Sequence, residues 1–145
     1  MNKTMIPVSS ENENVWAAMC IDLWPEGHTV QSFLEERHKG QFQNDFLCMQ
    51  EGEYIGFLSL SIRNDYVEGT DGGSIGYIEG IYVLPQYRRK GAGREMIEFA
   101  KSWSKENGCQ QMASDSLIEN TDSRVFHNKI GFKEANTIVC FVMEI

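Results

Sequence analysis

The sequence has few of the features that mark a disulfide-rich or membrane-bound protein. Its four cysteines are widely spaced, with no C-x-x-C pair and no histidine at zinc-ligand spacing, which predicts free thiols and no metal site. No apolar run approaches the length of a membrane span, and the segment Met1 to Pro7 lacks the apolar core of a signal peptide. The expected location is therefore the reducing cytoplasm.

Positive charge is scarce overall and missing from one long stretch. The formal net charge of −8 argues against nucleic acid as a partner, because phosphate binding relies on a basic face. Between Arg63 and Arg88 there is no lysine or arginine, whereas several acidic residues lie in that interval. An acidic stretch beside a basic cluster suits a site for a cationic substrate next to an anionic cofactor. An acidic surface that only keeps the protein soluble would give the same map.

The length of 145 residues allows one self-sufficient core, so we expect residues 1–145 to form a single domain. The order of the patterns predicts an α/β (α+β) fold, with a mixed sheet and helices on both faces. The predicted strands are Lys3–Val8, Asp45–Gln50, Tyr54–Arg63, Ser74–Leu84, Gln111–Ser114 and Ile138–Ile145. The predicted helices start after a cap at Ser9 or Ser10, span Val30–Lys39 and Gly91–Asn107, and run from about Asn120 to Ile130.

The run from Val83 to Arg94 is the most informative part of the chain, because a glycine-rich, arginine-dense turn there joins a strand pattern to a helix pattern. Gly91 and Gly93 lack a Cβ and let backbone approach a ligand, while the first N–H groups of the helix point at a bound anion. The added positive charge comes from Arg88, Arg89, Lys90 and Arg94. We interpret the turn as a pyrophosphate cradle. An ordinary strand-turn-helix joint with a solvated basic patch is the alternative.

Other segments of the chain, together with this turn, resemble a known family. The segment Glu79–Arg94, Asn120 and the ending His127–Phe132 resemble the GNAT superfamily of acetyl-CoA-dependent N-acetyltransferases. Closer matches to the short aminoglycoside 6'-N-acetyltransferases of resistant bacteria are Ile62–Gly69, Gly76–Pro85 and Cys109–Asp115. The resemblance covers nearly the whole chain, so it implies the fold of that family as well as its chemistry.

The resemblance implies a mixed, mostly antiparallel sheet in which the strand carrying Ile81 to Val83 contains a bulge and splays from a parallel neighbour. The wedge between the two strands would admit the pantetheine arm of acetyl-CoA, and a backbone N–H there would polarise the thioester carbonyl. By resemblance, the contacts to the cofactor would come from Ile81, Tyr82, Val83, Arg89, Lys90, Gly91, Ala92, Gly93, Arg94, Asn120 and His127. Relatives are frequently dimers, so a homodimer is expected.

An aminoglycoside is a polycation, and its primary amine is inert until a proton leaves, so carboxylates are needed for both binding and proton transfer. The resemblance assigns Glu79 and Asp115 to this pocket. We expect Asp115 to position the amine and to be a candidate base, with Glu79 sharing that role. From the residues alone, a helix N-cap or turn aspartate is the favoured interpretation of Asp115, and only the resemblance reverses that order.

Other substrate contacts are implied for Trp24 and Tyr66, whose aromatic faces suit sugar rings, and for Asn136 near the tail. Trp24 is also consistent with a core anchor at a helix end. His127 stands where many members of the superfamily have a tyrosine that protonates the departing thiolate. A histidine can donate a proton too, or it can serve only in packing or cofactor contact.

Three functions are open at this stage. The first is direct acetyl transfer from acetyl-CoA to the 6'-amine of an aminoglycoside in a ternary complex, which confers resistance. The second is acetylation of another amine, such as a polyamine or a peptide. The third is a non-catalytic module that binds acyl-CoA.

Overall fold

The computed structural model describes residues 2–145, and its element order follows the predicted one as far as the last predicted helix. The elements are β1 (Lys3–Pro7), α1 (Glu13–Leu23), α2 (Val30–His38), β2 (Asn44–Gln50), β3 (Glu53–Arg63), β4 (Ile75–Val83), α3 (Ala92–Glu106), β5 (Gln111–Ala113) and α4 (Thr121–Lys129). A short 3-10 turn at Pro85–Tyr87 lies between β4 and α3. No helix in this described part of the chain is both long and apolar enough to cross a membrane.

The sheet has the order β1-β2-β3-β4-β5, with antiparallel pairing up to β4 and a parallel β4–β5 pair at one edge. That last pairing joins only Ile75–Tyr77 to Gln111–Ala113, so the two strands part after Tyr77. The register between β3 and β4 shifts at Glu79, which is an extra residue in β4 and therefore a β-bulge. The expected bulge and the expected separation of the parallel strands are both confirmed.

Helices cover both faces of the sheet, as predicted. On one face, Met96 and Ile97 of α3 pack with Phe126 of α4 against the inner strands. On the other face, Trp16 of α1 and Phe33 of α2 belong to a second core with residues of β2, β3 and β4. Apolar burial on two sides of a central sheet is the main stabilising term of such a layered fold.

The first helix begins later than predicted. Asn12, not Ser9 or Ser10, is its N-cap residue, and α1 starts at Glu13. The side chain of Asn12 is buried because it bridges the preceding turn: Oδ1 accepts from the Ser9 N–H at 2.8 Å, and Nδ2 donates to the Pro7 carbonyl at 3.2 Å. These bonds hold residues 9–12 in a turn, so the helix starts two or three residues later than predicted.

The predicted closing strand at Ile138–Ile145 is wrong for the single chain, because residues 132–145 form no helix or strand. Apolar side chains in this tail face solvent, and Phe141 is 92% exposed. Cys140, which lies within this predicted strand, is exposed as well, whereas Cys48 on β2 is buried. A β-branched segment forms a strand only where a neighbouring strand supplies hydrogen-bond partners, and no strand of the described chain pairs with the tail.

Candidate active site

The turn between β4 and α3 has the geometry of an anion site. Gly91 is the N-cap residue of α3, has φ +89°, and supplies no side-chain acceptor. The bond from Glu95 N–H to the Gly91 carbonyl, at 3.1 Å, opens the helix, so the N–H groups of Ala92 and Gly93 precede the first intrahelical bond. A Cβ on Gly91 would meet nothing within 4 Å, so packing does not require glycine at this position. Residue 91 therefore needs glycine for its positive φ, and the turn fits a phosphate group.

Gly93 has a different reason to be glycine. A Cβ at this position would come within 2.6 Å of the Phe126 ring, so its absence allows α4 to pack closely on α3. The proposed approach of the Gly93 backbone to phosphate stays a prediction beside this packing role.

One of the basic side chains ties the turn to the strand. The Nε of Arg88 donates to the Val83 carbonyl at 2.6 Å, and the guanidinium lies 5.4 Å from the centre of the Tyr82 ring. Arg88 therefore stabilises the segment that joins the end of β4 to the turn. Arg88 is exposed, and so are the other basic side chains of the same turn, Arg89, Lys90 and Arg94.

The end of β4 presents backbone rather than side chains to the place where β4 and β5 part. Ile81 and Val83 pack against the α3 side, while the Tyr82 ring is buried on the α1 side and its hydroxyl donates to Asp22 at 2.9 Å. Gly56 on β3 lies so close that a Cβ there would be 2.2 Å from the Tyr82 carbonyl. Since the side chains are engaged in packing, the strand's free edge is the part suited to an extended ligand.

Glu79 projects from the bulge and is already paired. Its Oε2 accepts from the Ser61 hydroxyl at 2.5 Å. Arg63 donates from Nη2 to Oε1 at 2.8 Å and to Oε2 at 2.9 Å, and from Nε to Oε2 at 3.0 Å. These hydrogen bonds raise the pKa of Arg63, and they compensate the negative charge of Glu79.

Asp115 lies two residues after β5 and accepts a hydrogen bond from the Tyr77 hydroxyl. The Arg63 guanidinium carbon lies 3.4 Å from the centre of the Tyr77 ring, so Arg63 is stacked on it. Burial and the bond to Asp115 raise the pKa of Tyr77, which keeps its hydroxyl a donor. The N-cap of α4 is Asn120, so Asp115 does not cap that helix. We call Ser61, Arg63, Tyr77, Glu79 and Asp115 the carboxylate cluster.

Sequence analysis predicted Glu79 and Asp115 as residues of one pocket, but it did not predict the other three members of the cluster. Ser61 and Arg63 are two residues apart on β3, so they share one face, and Ser61 stands opposite Tyr77 in the β3–β4 register. Strand periodicity could have placed Ser61 and Arg63 on the same face of β3. Placing them beside Tyr77 and Glu79 also requires the register between β3 and β4, which local sequence patterns do not supply.

Trp24 is a core residue that also borders the bulge. Its ring centroid lies 5.8 Å from that of Phe57 and 6.0 Å from that of Phe33, within an aromatic cluster. A Cβ on Gly80 would come within 2.6 Å of the Trp24 indole, so the indole lies against β4 at the residue next to Glu79. The core interpretation of Trp24 therefore accounts for its contacts, and a sugar contact stays a prediction.

Tyr66 and Asn136 belong to a loop region beyond β3. Tyr66 is 71% exposed, as expected for a residue that offers its ring to a ligand. The side chain of Asn136 donates to Glu68 at 2.6 Å, so the start of the tail is held on the loop that carries Tyr66. The hydrogen bond of Asn136 is therefore made to this loop and not to the carboxylate cluster.

Asn120 and His127 lie at the start and near the end of α4. The Asn120 Oδ1 accepts from the Ser123 N–H at 3.2 Å, so this side chain serves as the helix cap. The Nδ1 of His127 lies 2.7 Å from the Ser123 carbonyl, an acceptor only, which places a proton on Nδ1. Its Nε2 lies 2.8 Å from the hydroxyl of Ser114, the neighbour of Asp115. His127 is thus linked to the segment that carries Asp115.

Comparison with known proteins agrees with this geometry. The model of the acetyltransferase (GNAT) family matches residues 12–132. Among curated proteins, aminoglycoside N(6')-acetyltransferase type 1 of Stenotrophomonas maltophilia is 34% identical over 129 residues, covering 88% of this chain and 84% of the relative. The protein of the same name from Acinetobacter haemolyticus is 33% identical over 142 residues, covering 96% and 97%.

Solved structures agree as well. The structure of AAC(6')-Iy in complex with the bisubstrate analog CoA-S-monomethyl-acetylneamine has a TM-score of 0.89 at 30% identity, with 100% of both chains covered. Aminoglycoside antibiotic 6'-N-acetyltransferase AAC(6')-IG from Acinetobacter haemolyticus has a TM-score of 0.89 at 33% identity, covering 100% of this chain and 99% of the other. The chain therefore belongs to the GNAT family of acetyltransferases, and within it to the aminoglycoside N(6')-acetyltransferases.

Proposed function

We propose that the chain, as a single domain, transfers the acetyl group of acetyl-CoA to the 6'-amino group of aminoglycoside antibiotics and thereby confers resistance. One observation carries this proposal for the site: Glu79 bulges from β4 where β4 and β5 part, and Asp115 follows the end of β5. Two carboxylates at the opening between diverging strands suit a substrate that carries several ammonium groups.

The cofactor half of the proposal is supported by the turn before α3. The N–H groups at the start of α3 and the exposed side chains of Arg89, Lys90 and Arg94 suit the pyrophosphate of acetyl-CoA. The free edge of β4 at Ile81–Val83 would accept the pantetheine arm in the manner of an added strand. A backbone N–H of that edge would stabilise the negative charge that develops on the thioester carbonyl.

Asp115 is our choice for the group that positions the 6'-amine and accepts its proton. Its hydrogen-bond donor, the Tyr77 hydroxyl, is neutral and brings no positive charge to Asp115. Glu79 faces the same region, but Arg63 compensates its charge. Of the two carboxylates, Asp115 is therefore better suited to hold an ammonium group and to take up the proton during attack.

Direct transfer in a ternary complex is supported by the state of the cysteines. Cys20, Cys48 and Cys109 are buried, and burial raises the pKa of each thiol, to about 11 for Cys48. A buried thiol that stays protonated is a poor nucleophile, so a covalent acetyl-cysteine is disfavoured at these positions. Unpaired cysteines also support a cytoplasmic location.

We further propose a homodimer in which the tail, defined as residues 133–145, pairs with a second copy. Val139, Phe141, Val142 and Met143 are each more than 70% exposed, so the end of the tail is an apolar segment that faces solvent in the single chain. The outer edge of β5 is likewise unpaired in the described residues. An exposed β-branched segment and a free sheet edge in the same chain are complementary surfaces.

The function is tested by thiol release at a fixed acetyl-CoA concentration. Kanamycin or tobramycin should stimulate release strongly, whereas spermidine and a lysine peptide should not. Mass spectrometry of the product should show one added acetyl group on the 6'-nitrogen. Equal stimulation by spermidine would favour a different amine substrate. Acetyl-CoA binding without thiol release for any amine would contradict the enzymatic role.

A further inference from the structure

The carboxylate cluster contains a cation of its own. The guanidinium of Arg63 binds both carboxylate oxygens of Glu79 and covers the face of Tyr77, whose hydroxyl is bonded to Asp115. A substrate ammonium that approaches Glu79 meets a carboxylate already occupied by a protein group. We infer that Arg63 is a specificity-determining residue that competes with substrate ammonium groups for Glu79. This inference rests on the proposed aminoglycoside substrate.

The geometry indicates that Arg63 can leave without displacing Glu79. The Ser61 hydroxyl holds Glu79 Oε2 at 2.5 Å independently of Arg63, and the bulge fixes the backbone from which Glu79 projects. Arg63 is the last residue of β3, and its side chain is 42% exposed. The guanidinium therefore has solvent beside it into which it can turn, while Glu79 stays in position for another cation.

Competition has a definite consequence for the number of charges that the site accepts. With Arg63 on Glu79, the cluster carries the uncompensated charge of Asp115 alone. A substrate with one ammonium near Asp115 binds without disturbing the ion pair. A second ammonium near Glu79 has to replace the guanidinium, so part of its binding energy is spent on breaking an existing bidentate pair. Arg63 thereby limits the affinity for the most highly charged substrates.

The test is the substitution Arg63→Gln, measured with tobramycin as the probe. Its KM for tobramycin, and its Kd by isothermal titration calorimetry, should fall about threefold to tenfold, because an exposed carboxylate–ammonium pair contributes modestly. The turnover number should not fall in parallel. The gain should shrink at high salt, since screening weakens exposed charge pairs. The acetyl-CoA KM should change less than about twofold.

Two further variants make the result specific. Lys101→Gln removes the same charge from the exposed face of α3, where Lys101 pairs only with Glu98, and should leave the tobramycin KM unchanged. Arg63→Gln combined with Glu79→Gln should abolish the gain, because the released carboxylate is then gone.

The outcomes separate this inference from the proposed function. A wild-type protein that neither binds nor acetylates tobramycin would contradict both. A wild-type protein that acetylates tobramycin, with an unchanged or higher tobramycin KM in Arg63→Gln, would overturn the role of Arg63 alone. That second result would mean that Arg63 orients Glu79 rather than competing for it.

Discussion

A buried carboxylate in the core beside α1 should make the stability of this protein fall as pH rises. Asp45 on β2 is only 2% exposed and accepts hydrogen bonds from the Trp16 indole N–H and the Ser59 hydroxyl, both at 2.7 Å. Burial raises the pKa of Asp45 to about 7, and these two hydrogen bonds and the charge of Arg37 offset only part of that effect. We predict that Asp45→Asn stabilises the fold at alkaline pH.

The sign follows from the two pKa values. In the unfolded chain Asp45 ionises near its ordinary value of about 4, whereas in the folded protein it holds its proton until about pH 7. The folded state thus binds more protons between these values, and stability decreases with pH through that window. Between about pH 5.5 and about pH 8 the expected loss is on the order of 2 kcal/mol, at 1.36 kcal/mol per pKa unit.

An asparagine at position 45 preserves both hydrogen bonds. Its amide oxygen accepts from the Trp16 N–H, and its amide nitrogen donates to the Ser59 hydroxyl, which rotates to accept. The difference in unfolding free energy between Asp45→Asn and wild type, from urea denaturation, should therefore grow by about 2 kcal/mol from about pH 5.5 to about pH 8. Glu98→Gln, which removes a charge from an exposed site, is the control. A difference that stays constant with pH would refute the reasoning.

Three further predictions concern the site and the tail. Asp115→Asn keeps an acceptor for the Tyr77 hydroxyl but loses the charge, so kcat/KM for an aminoglycoside should fall about 100-fold or more while acetyl-CoA affinity holds; near-normal turnover would remove Asp115 from the mechanism. Gly91→Val forces a β-branched residue to φ +89° at a cost of about 1–2 kcal/mol, so the free turn should relax away from this geometry, and acetyl-CoA affinity, measured by calorimetry, should fall by up to about that amount; equal affinity would contradict the cradle. Phe141→Asp places a charge in the tail and should convert a dimer to a monomer in light scattering; an unchanged mass would exclude the tail as the interface.

Local features of the site were predictable from the sequence. The turn before α3 depends on neighbours in the chain: a strand, a positive-φ glycine at residue 91 and a helix that starts directly after it. The hairpin between β2 and β3 is similar, because Glu51 and Gly52 both have positive φ. The conformation of such a turn depends on residues that are adjacent in the chain, so sequence patterns can identify it.

Long-range features were harder to predict. The start of α1 was misplaced because Ser9 and Asn12 are both good caps, and the choice between them depends on the bond from Asn12 to Pro7. The prediction of a strand in the tail was wrong for a similar reason, because strand propensity does not indicate whether a partner strand is present. Arg63 was missed because its role arises from cross-strand register and not from its neighbours in sequence.

The β-bulge at Glu79 connects the fold to the proposed chemistry. Ile78 and Ile81 both pack on the α3 side although they are three residues apart, an odd spacing that strict strand alternation forbids. One extra residue between them resolves the conflict, and that residue is Glu79. The bulge keeps both isoleucines buried and sends the Glu79 carboxylate to Ser61 and Arg63 on the opposite face. The packing of Ile78 and Ile81 on one face is therefore the structural consequence of the bulge, which sets the position of the carboxylate that the ligand would reach.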